Sequence, residues 1–250
     1  MIKALIKPLI PEFLLIKIRR FRREIREYFF SIERKRDLNQ LQAFEHFLNK
    51  NDQSLKQFTS ILDFGCGHGR LIRYLFELLP EAELSGCEIY PHLIEECISN
   101  YPRGNFILNE TSPPLPFKED QFDFIYSYSV FTNISCEDHL AWVNELSRVL
   151  KPGGLLLQTI HGYECLKRLA MFSPESLAKY QLGIPVDEFL QSSKGYHFAQ
   201  CDSMEYYTII SKEYIMEHWP SVSGLKVLDY EKGAIEAYPE GCQDLVLLIK

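Results

Sequence analysis

The feature that most constrains the fold is the stretch from Ser60 to Arg70, where a short apolar run ends in three alternate glycines. Gly65, Gly67 and Gly69 are followed directly by a segment with helical periodicity. Because glycine has no Cβ, it reaches positive φ without strain and lets a ligand lie against the backbone. The free amide groups at the start of the following helix face the same turn. The stretch therefore predicts a buried strand, a ligand-binding turn and a helix.

After this turn, apolar runs of strand length alternate with segments of helical periodicity. The predicted strands are Ser60 to Gly65, Ala82 to Ile89, Asn105 to Asn109, Phe122 to Ser129, Leu155 to Ile160, Leu225 to Tyr230 and Asp244 to Ile249. The predicted helices are Asp37 to Lys50, Arg70 to Leu79, Pro91 to Ile98, Asp138 to Leu150 and Ser211 to His218, and a tight turn is predicted at Lys151 to Gly154. The alternation is typical of an α/β fold with a parallel sheet covered on both faces.

With 250 residues and 46% hydrophobic content, the chain is long enough for one catalytic domain. We predict that this domain spans residues 39–250, with a lid insertion at about 163–207, where the strand and helix alternation stops. The seven cysteines form no C-x-x-C pair, and no cysteine and histidine spacing suits zinc. Neither a disulfide framework nor a metal site is therefore expected, and a cytoplasmic location fits this cysteine usage.

Residues 1–38 are predicted as a basic helical extension. Residues 1–36 contain eleven Lys and Arg against four Glu, whereas the whole chain has a net charge of −7. Three interpretations of residues 12–36 stay open: contact with an anionic membrane surface, pairing with a partner helix, or packing on the chain's own domain. The first interpretation would place the protein peripherally at the inner membrane surface. The acidic balance of the rest of the chain argues against a nucleic-acid partner.

The spacing of the glycines and one acidic residue indicate which ligand the turn binds. A dinucleotide fingerprint needs Gly-x-Gly-x-x-Gly, whereas here the third glycine comes one residue early and Arg70 takes its place. Glu88 closes the second predicted strand, at the edge where ribose hydroxyls would lie. Its two oxygens can accept hydrogen bonds from both ribose hydroxyls. A nucleoside without a pyrophosphate therefore fits the turn better than a dinucleotide.

The nine residues from Ile61 to Gly69 resemble motif I of the class I S-adenosylmethionine-dependent methyltransferases, and Gly86 to Pro91 resembles their acidic motif. Further motifs follow in family order at family spacing: Pro113 to Phe117 with Phe122-Asp123, then Ser129 to Thr132, then Glu145 to Gly154. The resemblance covers about residues 40–162 and is closest to the methyltransferase type 11 and 12 groups. It implies a Rossmann-like, doubly wound sheet of seven strands, mostly parallel with an antiparallel last strand.

The resemblance also implies that S-adenosylmethionine is the cofactor. The residues that it places against the cofactor are Asp63 at the ammonium, Gly65, Cys66, Gly67 and Gly69 beneath the methionine part, Glu88 at the ribose, Ile89 at the adenine face, Asn109 or Glu110 at the adenine amino group, and Ser127 to Ser129 at the methyl group.

One departure from the family pattern concerns the catalytic base. Related sequences commonly have a histidine where this chain has Asn133. An asparagine side chain can hydrogen-bond but cannot take a proton near neutral pH. If the acceptor is a hydroxyl group, His161 at the end of the fifth predicted strand is the candidate base, and its alternative role is to hydrogen-bond the turn.

These features predict an S-adenosylmethionine-dependent methyltransferase that acts on a small molecule, a glycan or a lipid-linked sugar, by O-methylation. The alternative is a non-catalytic interaction or regulatory module that binds the same cofactor. A nicotinamide-dependent oxidoreductase is disfavoured by Arg70 and by the order of the later motifs.

Overall fold

The structure is a computed structural model that describes residues 34–172, 195–201, 205–237 and 241–250. Residues 42–250 form one compact unit. The predicted basic helix at 12–36 lies outside the described residues except for its last three positions, which are helical. Part of the predicted lid, at 173–194 and 202–204, also lies outside them.

The described elements are six α-helices, a short 3-10 helix (Leu55–Gln57) and nine strands. The helices are α1 (residues 34–50), α2 (Ile72–Leu78), α3 (Pro91–Asn100), α4 (Cys136–Val149), α5 (Tyr163–Phe172) and α6 (Lys212–Ser223). The strands are β1 (Ser60–Phe64), β2 (Glu83–Glu88), β3 (Asn105–Leu108), β4 (Phe122–Ser127), β5 (Leu150–Ile160), β6 (Tyr196–Cys201), β7 (Glu205–Ile210), β8 (Lys226–Ala237) and β9 (Gly241–Ile249). Within this part of the chain, no helix combines the length and the apolar character that crossing a membrane requires.

Seven strands form one sheet in the order β3-β2-β1-β4-β5-β9-β8. Strands β1 to β5 pair in parallel with one another, and β9 runs antiparallel to both β5 and β8. The chain leaves β1 toward β2 and β3, and then returns to the other side of β1 with β4. Ligands of such sheets bind where this direction reverses, outside the carboxyl ends of the two central strands. The predicted seven-stranded, mostly parallel α/β fold with an antiparallel last strand is confirmed.

Local sequence signals explain where several elements begin and end. Ser135 caps α4 by accepting a hydrogen bond from the Asp138 amide, and Pro91 occupies the first turn of α3. The Ser211 hydroxyl accepts from the Tyr214 amide at 3.0 Å at the start of α6. Gly224 ends α6 in the left-handed conformation at φ 71°.

The predicted turn at Lys151 to Gly154 was wrong, because these residues belong to β5. Their pairing with β4 shifts register between Phe122 and Phe124, and Gly153 has a φ of 77°. Lys-Pro-Gly-Gly is a turn sequence, and here the glycine absorbs an irregularity inside a strand rather than reversing the chain. The last two predicted strands are also longer than expected, since β8 and β9 form a hairpin that extends beyond the central sheet.

The described part of the predicted lid contains regular structure. Helix α5 follows β5, and β6 and β7 pair antiparallel as a separate two-stranded sheet. The Ile210 amide donates to the His161 carbonyl at 2.9 Å, so β7 is attached to the end of β5.

Aromatic and aliphatic side chains cover both faces of the sheet. On one face, Trp142 of α4 and Trp219 of α6 are buried in a cluster with residues of β1, β4, β5 and β9. On the other face, Phe44 of α1 lies edge-on to Tyr126 at 5.8 Å between ring centroids, and Phe58 stacks on Phe124 at 4.5 Å. The sheet is thus held rigidly behind its carboxyl edge, where the candidate site lies.

Candidate functional site

The glycine turn between β1 and α2 is fixed by hydrogen bonds to the neighbouring strand. The amides of Gly65 and Cys66 both donate to the Cys87 carbonyl of β2, at 2.9 and 3.0 Å. Gly65, Gly67 and Gly69 have φ values of 76°, 57° and 81°, which favour glycine at all three positions. The turn is therefore a rigid feature of the backbone and not an open loop.

The three glycines differ in what surrounds them. A Cβ on Gly65 would overlap Val130 Cγ2, and a Cβ on Gly69 would lie 2.6 Å from Tyr101 Cε2. A Cβ on Gly67 would meet no atom within 4 Å. Gly65 and Gly69 are thus required for packing, whereas Gly67 borders open space that a ligand can occupy.

Glu88 lies at the end of β2, where the sequence predicts the ribose ligand. One carboxylate oxygen accepts from the Gly67 amide at 3.0 Å, and the other accepts from the Ile89 amide at 2.7 Å. Each oxygen retains a further acceptor position. The carboxylate is therefore oriented by the glycine turn with acceptor capacity left for two ligand hydroxyls.

Asp63 is buried at the end of β1, opposite Tyr126 of β4. The Tyr126 hydroxyl donates to its carboxylate at 2.8 Å. Burial raises the pKa of Asp63 to about 7, while the Tyr126 hydrogen bond and the charge of Arg70 act in the opposite direction. A cationic ligand group beside Asp63 would stabilise the ionised form.

Two cavities meet at the carboxyl edge of the sheet. The smaller, of about 260 Å³, is lined by Asp63, Cys66, Gly67, His68 and Arg70 among others. The larger, of about 520 Å³, is lined by Glu88, Ile89, Asn109, Glu110, Asn133, Asp138 and Trp142 among others. Gly65, Tyr128 and Ser129 line both. The predicted cofactor residues other than Gly69 and Ser127 thus line these two adjacent cavities, which together form the cleft.

The loop after β3 forms one wall of the larger cavity. The Asn109 amide group donates to the Glu110 carbonyl at 2.7 Å, and the Asn109 backbone amide donates to the Glu88 carbonyl at 3.1 Å. Trp142 Nε1 donates to the Thr111 carbonyl at 3.0 Å. Helix α4 therefore fixes this loop beside the end of β2.

Cys66 lies within the glycine turn and lines the smaller cavity. Hydrogen bonding to Cys97 and burial raise the pKa of its thiol, so the side chain stays neutral. At this position the backbone, rather than the thiol, is the part that can bind a ligand.

The residues predicted at the methyl group, Ser127 to Ser129, lie at the end of β4 and directly after it. Ser127 is fully buried and its hydroxyl hydrogen-bonds Gln158 of β5, whereas the next two residues line both cavities. Ser129 has a φ of 59°, which is uncommon outside glycine. Its amide donates to Thr159 Oγ1 at 2.8 Å, and its hydroxyl accepts from Gln243 Nε2 at 2.7 Å. Ser129 is therefore held in a defined position at the junction of the cavities.

Gln243 and Arg70 are residues near the site that the sequence does not predict. Gln243 comes from β9, and only the pairing of that strand in the sheet places it against Ser129. The sequence identifies Arg70 only as a departure from the dinucleotide pattern, although it adjoins the third glycine and lines the smaller cavity.

Asn133 lines the larger cavity, in the place where related sequences have histidine. Its Nδ2 donates to the Ser129 carbonyl at 2.8 Å and to Thr132 Oγ1 at 2.9 Å. Both amide hydrogens are thus committed, so Asn133 can offer a ligand only its Oδ1 acceptor.

His161 lies at the end of β5 and is not among the residues that line the two cavities. Burial lowers the pKa of its imidazole to about 4, and a hydrogen bond with the Thr208 backbone works in the opposite direction. The imidazole is therefore neutral at physiological pH and a weak base. Its role as the catalytic base stays a prediction.

Comparison with known proteins agrees with this geometry. The model of a family described as "Methyltransferase domain" matches residues 62–158. The chain is 34% identical over 113 residues to tRNA (carboxymethyluridine(34)-5-O)-methyltransferase of Arabidopsis thaliana, a match that covers 45% of this chain and 26% of that protein. It is 33% identical over 98 residues to malonyl-[acyl-carrier protein] O-methyltransferase of Hahella chejuensis, covering 39% of this chain and 34% of that protein. The chain thus spans about a quarter to a third of the length of these curated relatives.

Among solved structures, an S-adenosylmethionine-dependent methyltransferase from Methanosarcina mazei superposes with a TM-score of 0.60 at 18% identity. The match covers 78% of this chain and 94% of that one. At this identity the likeness shows the fold alone. Residues 62–158 are thus similar to a methyltransferase domain, and the chain shares its fold with a solved S-adenosylmethionine-dependent methyltransferase. The resemblance of this chain to the class I S-adenosylmethionine-dependent methyltransferases is confirmed.

Proposed function

We propose that this protein binds S-adenosylmethionine and transfers its methyl group to a hydroxyl oxygen of a small molecule, a glycan or a lipid-linked sugar. The observation that carries the proposal is the pair of cavities that meet at Tyr128 and Ser129. One cavity has Asp63 and Arg70 for the charged groups of an amino acid, and the other has Glu88 for a ribose. Their junction is the place for the reacting sulfonium.

The side chains present fit this cofactor. Asp63 would hold the ammonium, Glu88 would accept from the ribose hydroxyls, and Ile89 would lie against the adenine ring. Asn109 or Glu110 would meet the adenine amino group from the loop after β3. The open space beside Gly67 fits a ligand that lies against the backbone, since a Cβ there would meet no protein atom.

The bound cofactor would supply a methyl group on a positively charged sulfur, which is already a good leaving group. The residues of the chain then have two tasks, which are to align the acceptor and to exclude water. Alignment alone can supply roughly 7–11 kcal/mol of the barrier, whereas a general base typically contributes about 10²- to 10⁴-fold in rate. Asparagine in place of histidine at position 133 is therefore compatible with catalysis.

The charges of the larger cavity favour a neutral acceptor. Among its described lining residues, the charged side chains are Glu88, Glu110 and Asp138, all acidic. A carboxylate or phosphate at the reacting position would face these charges, whereas a hydroxyl can donate to Asn133 Oδ1. Asp138, whose Oδ2 accepts from Ser135 Oγ at 3.1 Å, is a second candidate base beside His161.

The relatives act on different acceptors by name, one on tRNA and another on a malonyl-acyl carrier protein. A nucleic-acid or carrier-protein acceptor is thus the competing possibility for this chain. The larger cavity of about 520 Å³ would also hold the adenosine part of the cofactor, and the space that remains beside it suits a small acceptor.

A second candidate function is a non-catalytic module that binds the same cofactor. The observation that favours it is the combination of Asn133 at the histidine position with His161 outside the cavity lining. Binding of the cofactor without turnover is what this alternative predicts.

The test is transfer of radiolabelled methyl groups from S-adenosylmethionine to matched acceptors that differ only at the reacting group. Benzyl alcohol and benzoate form one such pair, and a methyl glycoside and its uronic acid form another. We expect the hydroxyl members to be labelled and the Gly67→Ala variant to be inactive. Labelling of the carboxylates or of bulk tRNA instead would contradict the proposed acceptor, and binding without any labelling would favour the non-catalytic module.

A further inference from the structure

The hairpin of β6 and β7 contacts the loop that carries Asn133. This loop joins β4 to α4, and its residues Val130, Asn133, Ile134 and Ser135 line the larger cavity. In the proposed function, Asn133 Oδ1 is the atom that accepts a hydrogen bond from the acceptor hydroxyl. Whatever holds this loop in place therefore affects how an acceptor is aligned.

Thr208 of β7 bonds the backbone on both sides of Asn133. Its amide donates to the Thr132 carbonyl at 2.8 Å, and its hydroxyl donates to the Ile134 carbonyl at 2.9 Å. Thr208 and Thr132 are both buried. Because a buried carbonyl that loses its partner is costly, these bonds resist local opening of the loop. Asn133 is thus held between two fixed carbonyl groups.

Tyr196 of β6 supplies a second donor to one of these carbonyls. Its hydroxyl donates to the Ile134 oxygen at 2.7 Å, so the hairpin uses both lone pairs of that oxygen. Burial raises the pKa of Tyr196, so the hydroxyl stays protonated and remains a donor. The ring lies 4.6 Å from the His139 ring and 5.4 Å from the Tyr214 ring, measured between centroids. This packing against α4 and α6 anchors the hydroxyl.

The side chain of Asn133 is oriented from within the loop itself. Its Nδ2 donates to the Ser129 carbonyl at 2.8 Å and to Thr132 Oγ1 at 2.9 Å. With the backbone held by the hairpin and the amide nitrogen held by the loop, Oδ1 has a defined position on the cavity wall.

The residues proposed for the cofactor are held by other contacts. The Glu88 carboxylate is bonded by the amides of Gly67 and Ile89, and Trp142 bonds the loop after β3. The acceptor wall and the cofactor wall of the cleft are therefore fixed by different hydrogen bonds, and a substitution can change one without the other.

We infer that Thr208 and Tyr196 are positioning residues for methyl transfer, which hold Asn133 so that its Oδ1 receives the acceptor hydroxyl. The inference rests on the proposed function, because it explains how the acceptor of that same site is aligned. It gives the hairpin a role in the use of the acceptor and none in the binding of the cofactor.

The first experiment measures methyl transfer to benzyl alcohol and to a methyl glycoside by wild type, Thr208→Val and Tyr196→Phe, which each remove one donor. Thr208→Ser, which keeps the hydroxyl, is one control. Tyr214→Phe is the other, because Tyr214 packs on Tyr196 but, within the described part of the chain, its hydroxyl does not bond Ile134.

We expect Thr208→Val and Tyr196→Phe each to lower kcat/KM for the acceptor about 3- to 10-fold, the range of one hydrogen bond. Both control variants should stay within about twofold of wild type. The affinity for S-adenosylhomocysteine, measured by calorimetry, should also stay within about twofold in all four variants. Unchanged acceptor kinetics in the two donor variants, or a parallel loss of S-adenosylhomocysteine affinity, would overturn the inference and leave the proposed function standing.

A double-mutant cycle distinguishes positioning from general damage. If Thr208 acts through Asn133, Thr208→Val should lower kcat/KM much less when Asn133 is already replaced by alanine. Losses that simply add would show that Thr208 does not act through Asn133, and would overturn the inference.

Hydrogen exchange gives a readout that needs no acceptor. The backbone amides of residues 130–135 should exchange faster in Thr208→Val than in wild type, whereas those of residues 65–69 should be unchanged. Equal exchange of residues 130–135 in both proteins would overturn the inference. Absence of methyl transfer by wild type to every hydroxyl acceptor would instead contradict the proposed function, whatever the exchange shows.

Discussion

At the scale of single residues, the proposed contact of Asp63 with the cofactor ammonium would make binding depend on pH. A carboxyl group is usually ionised above pH 4, whereas burial raises the pKa of Asp63 to about 7. The folded protein without ligand therefore holds a proton on this group at mildly acidic pH. Since a protonated carboxyl cannot pair with an ammonium, the proton has to leave before the cofactor binds tightly.

The first prediction is that S-adenosylhomocysteine binding weakens as pH falls below 7. The loss approaches about tenfold for each pH unit, and 5′-methylthioadenosine, which has no ammonium, should show no such dependence. Calorimetric titration between pH 5.5 and 8.5 measures both. A flat profile for S-adenosylhomocysteine would show that Asp63 does not contact the ammonium.

The raised pKa of Asp63 also makes the stability of the folded protein depend on pH. Because the folded-state pKa lies above the ordinary value of 3.8, the stabilising effect of the bound proton is present at low pH and is lost as pH rises toward 7. Asp63→Asn should therefore be more stable than wild type at pH 8 in the absence of ligand, yet should bind S-adenosylhomocysteine more weakly. If the Asp63 carboxylate binds a ligand, we expect it to lower the stability of the ligand-free protein, as residues at functional sites often do.

At the scale of secondary-structure elements, α4 and α6 meet through a buried imidazole. His139 of α4 is fully buried, and its Nε2 accepts from Trp219 Nε1 at 2.8 Å. Aromatic rings of Phe131, Tyr196 and Tyr214 lie within 6 Å of it. Burial lowers the pKa of His139 to about 3, so the contact needs the neutral imidazole.

The second prediction concerns acid stability. The pKa of His139 is about 6.5 in the unfolded chain and about 3 in the folded protein. The contribution of the neutral imidazole to the free energy of unfolding is therefore fully present above pH 6.5 and is lost as pH falls. Between pH 6.5 and 5 the loss from His139 is about 2 kcal/mol. Urea unfolding at both pH values should show His139→Gln, which keeps an acceptor for Trp219, to be less acid-sensitive than wild type. His92→Gln on the exposed face of α3 is the control, and an unchanged pH dependence in His139→Gln would contradict the prediction.

The elements differ in how far sequence alone could predict them. The five parallel strands were predicted because each is an apolar run of ordinary strand length. Lys151 to Gly154 was mistaken for a turn because the local signal of proline and glycine does not reveal pairing with β4. The β6 and β7 hairpin was missed because its polar and aromatic residues resemble a loop, and only pairing between the strands defines it.

The residues of the candidate site also differ in how far sequence alone could predict them. The sequence could predict the three glycines of the turn and Glu88, because their spacing is typical of a nucleoside-binding turn. Gln243 could not be predicted, since it is 114 residues from its partner Ser129 and meets it only through the pairing of β9 in the sheet. Contacts that depend on register between distant strands have no signature in a single sequence.

At the scale of the whole molecule, the charge is unevenly distributed along the chain. Residues 1–36 carry a balance of +7 and the remainder is acidic. A basic amphipathic segment can bind anionic lipid through its arginines and its apolar face. Such contact would suit a lipid-linked acceptor, which is a membrane substrate.

The third prediction is that the full chain co-sediments with vesicles containing phosphatidylglycerol but not with phosphatidylcholine vesicles. Replacing Arg19, Arg20 and Arg22 by glutamate should remove this binding and leave S-adenosylhomocysteine affinity unchanged. Equal sedimentation of wild type and variant would exclude the membrane role of residues 12–36 and favour pairing or packing of that segment.

The measurement that tests the central claim most directly is calorimetric titration of S-adenosylhomocysteine into wild type, Gly67→Ala and Gly153→Ala. Both glycines have positive φ, and a Cβ on either would meet no atom within 4 Å. The two variants therefore carry similar backbone strain, of the order of 1 kcal/mol, but only Gly67 borders the cleft. We predict one bound ligand per chain for wild type and Gly153→Ala, and at least about tenfold weaker binding for Gly67→Ala. Absence of binding to wild type, or equal binding by all three proteins, would contradict the assignment of the glycine turn as the cofactor site.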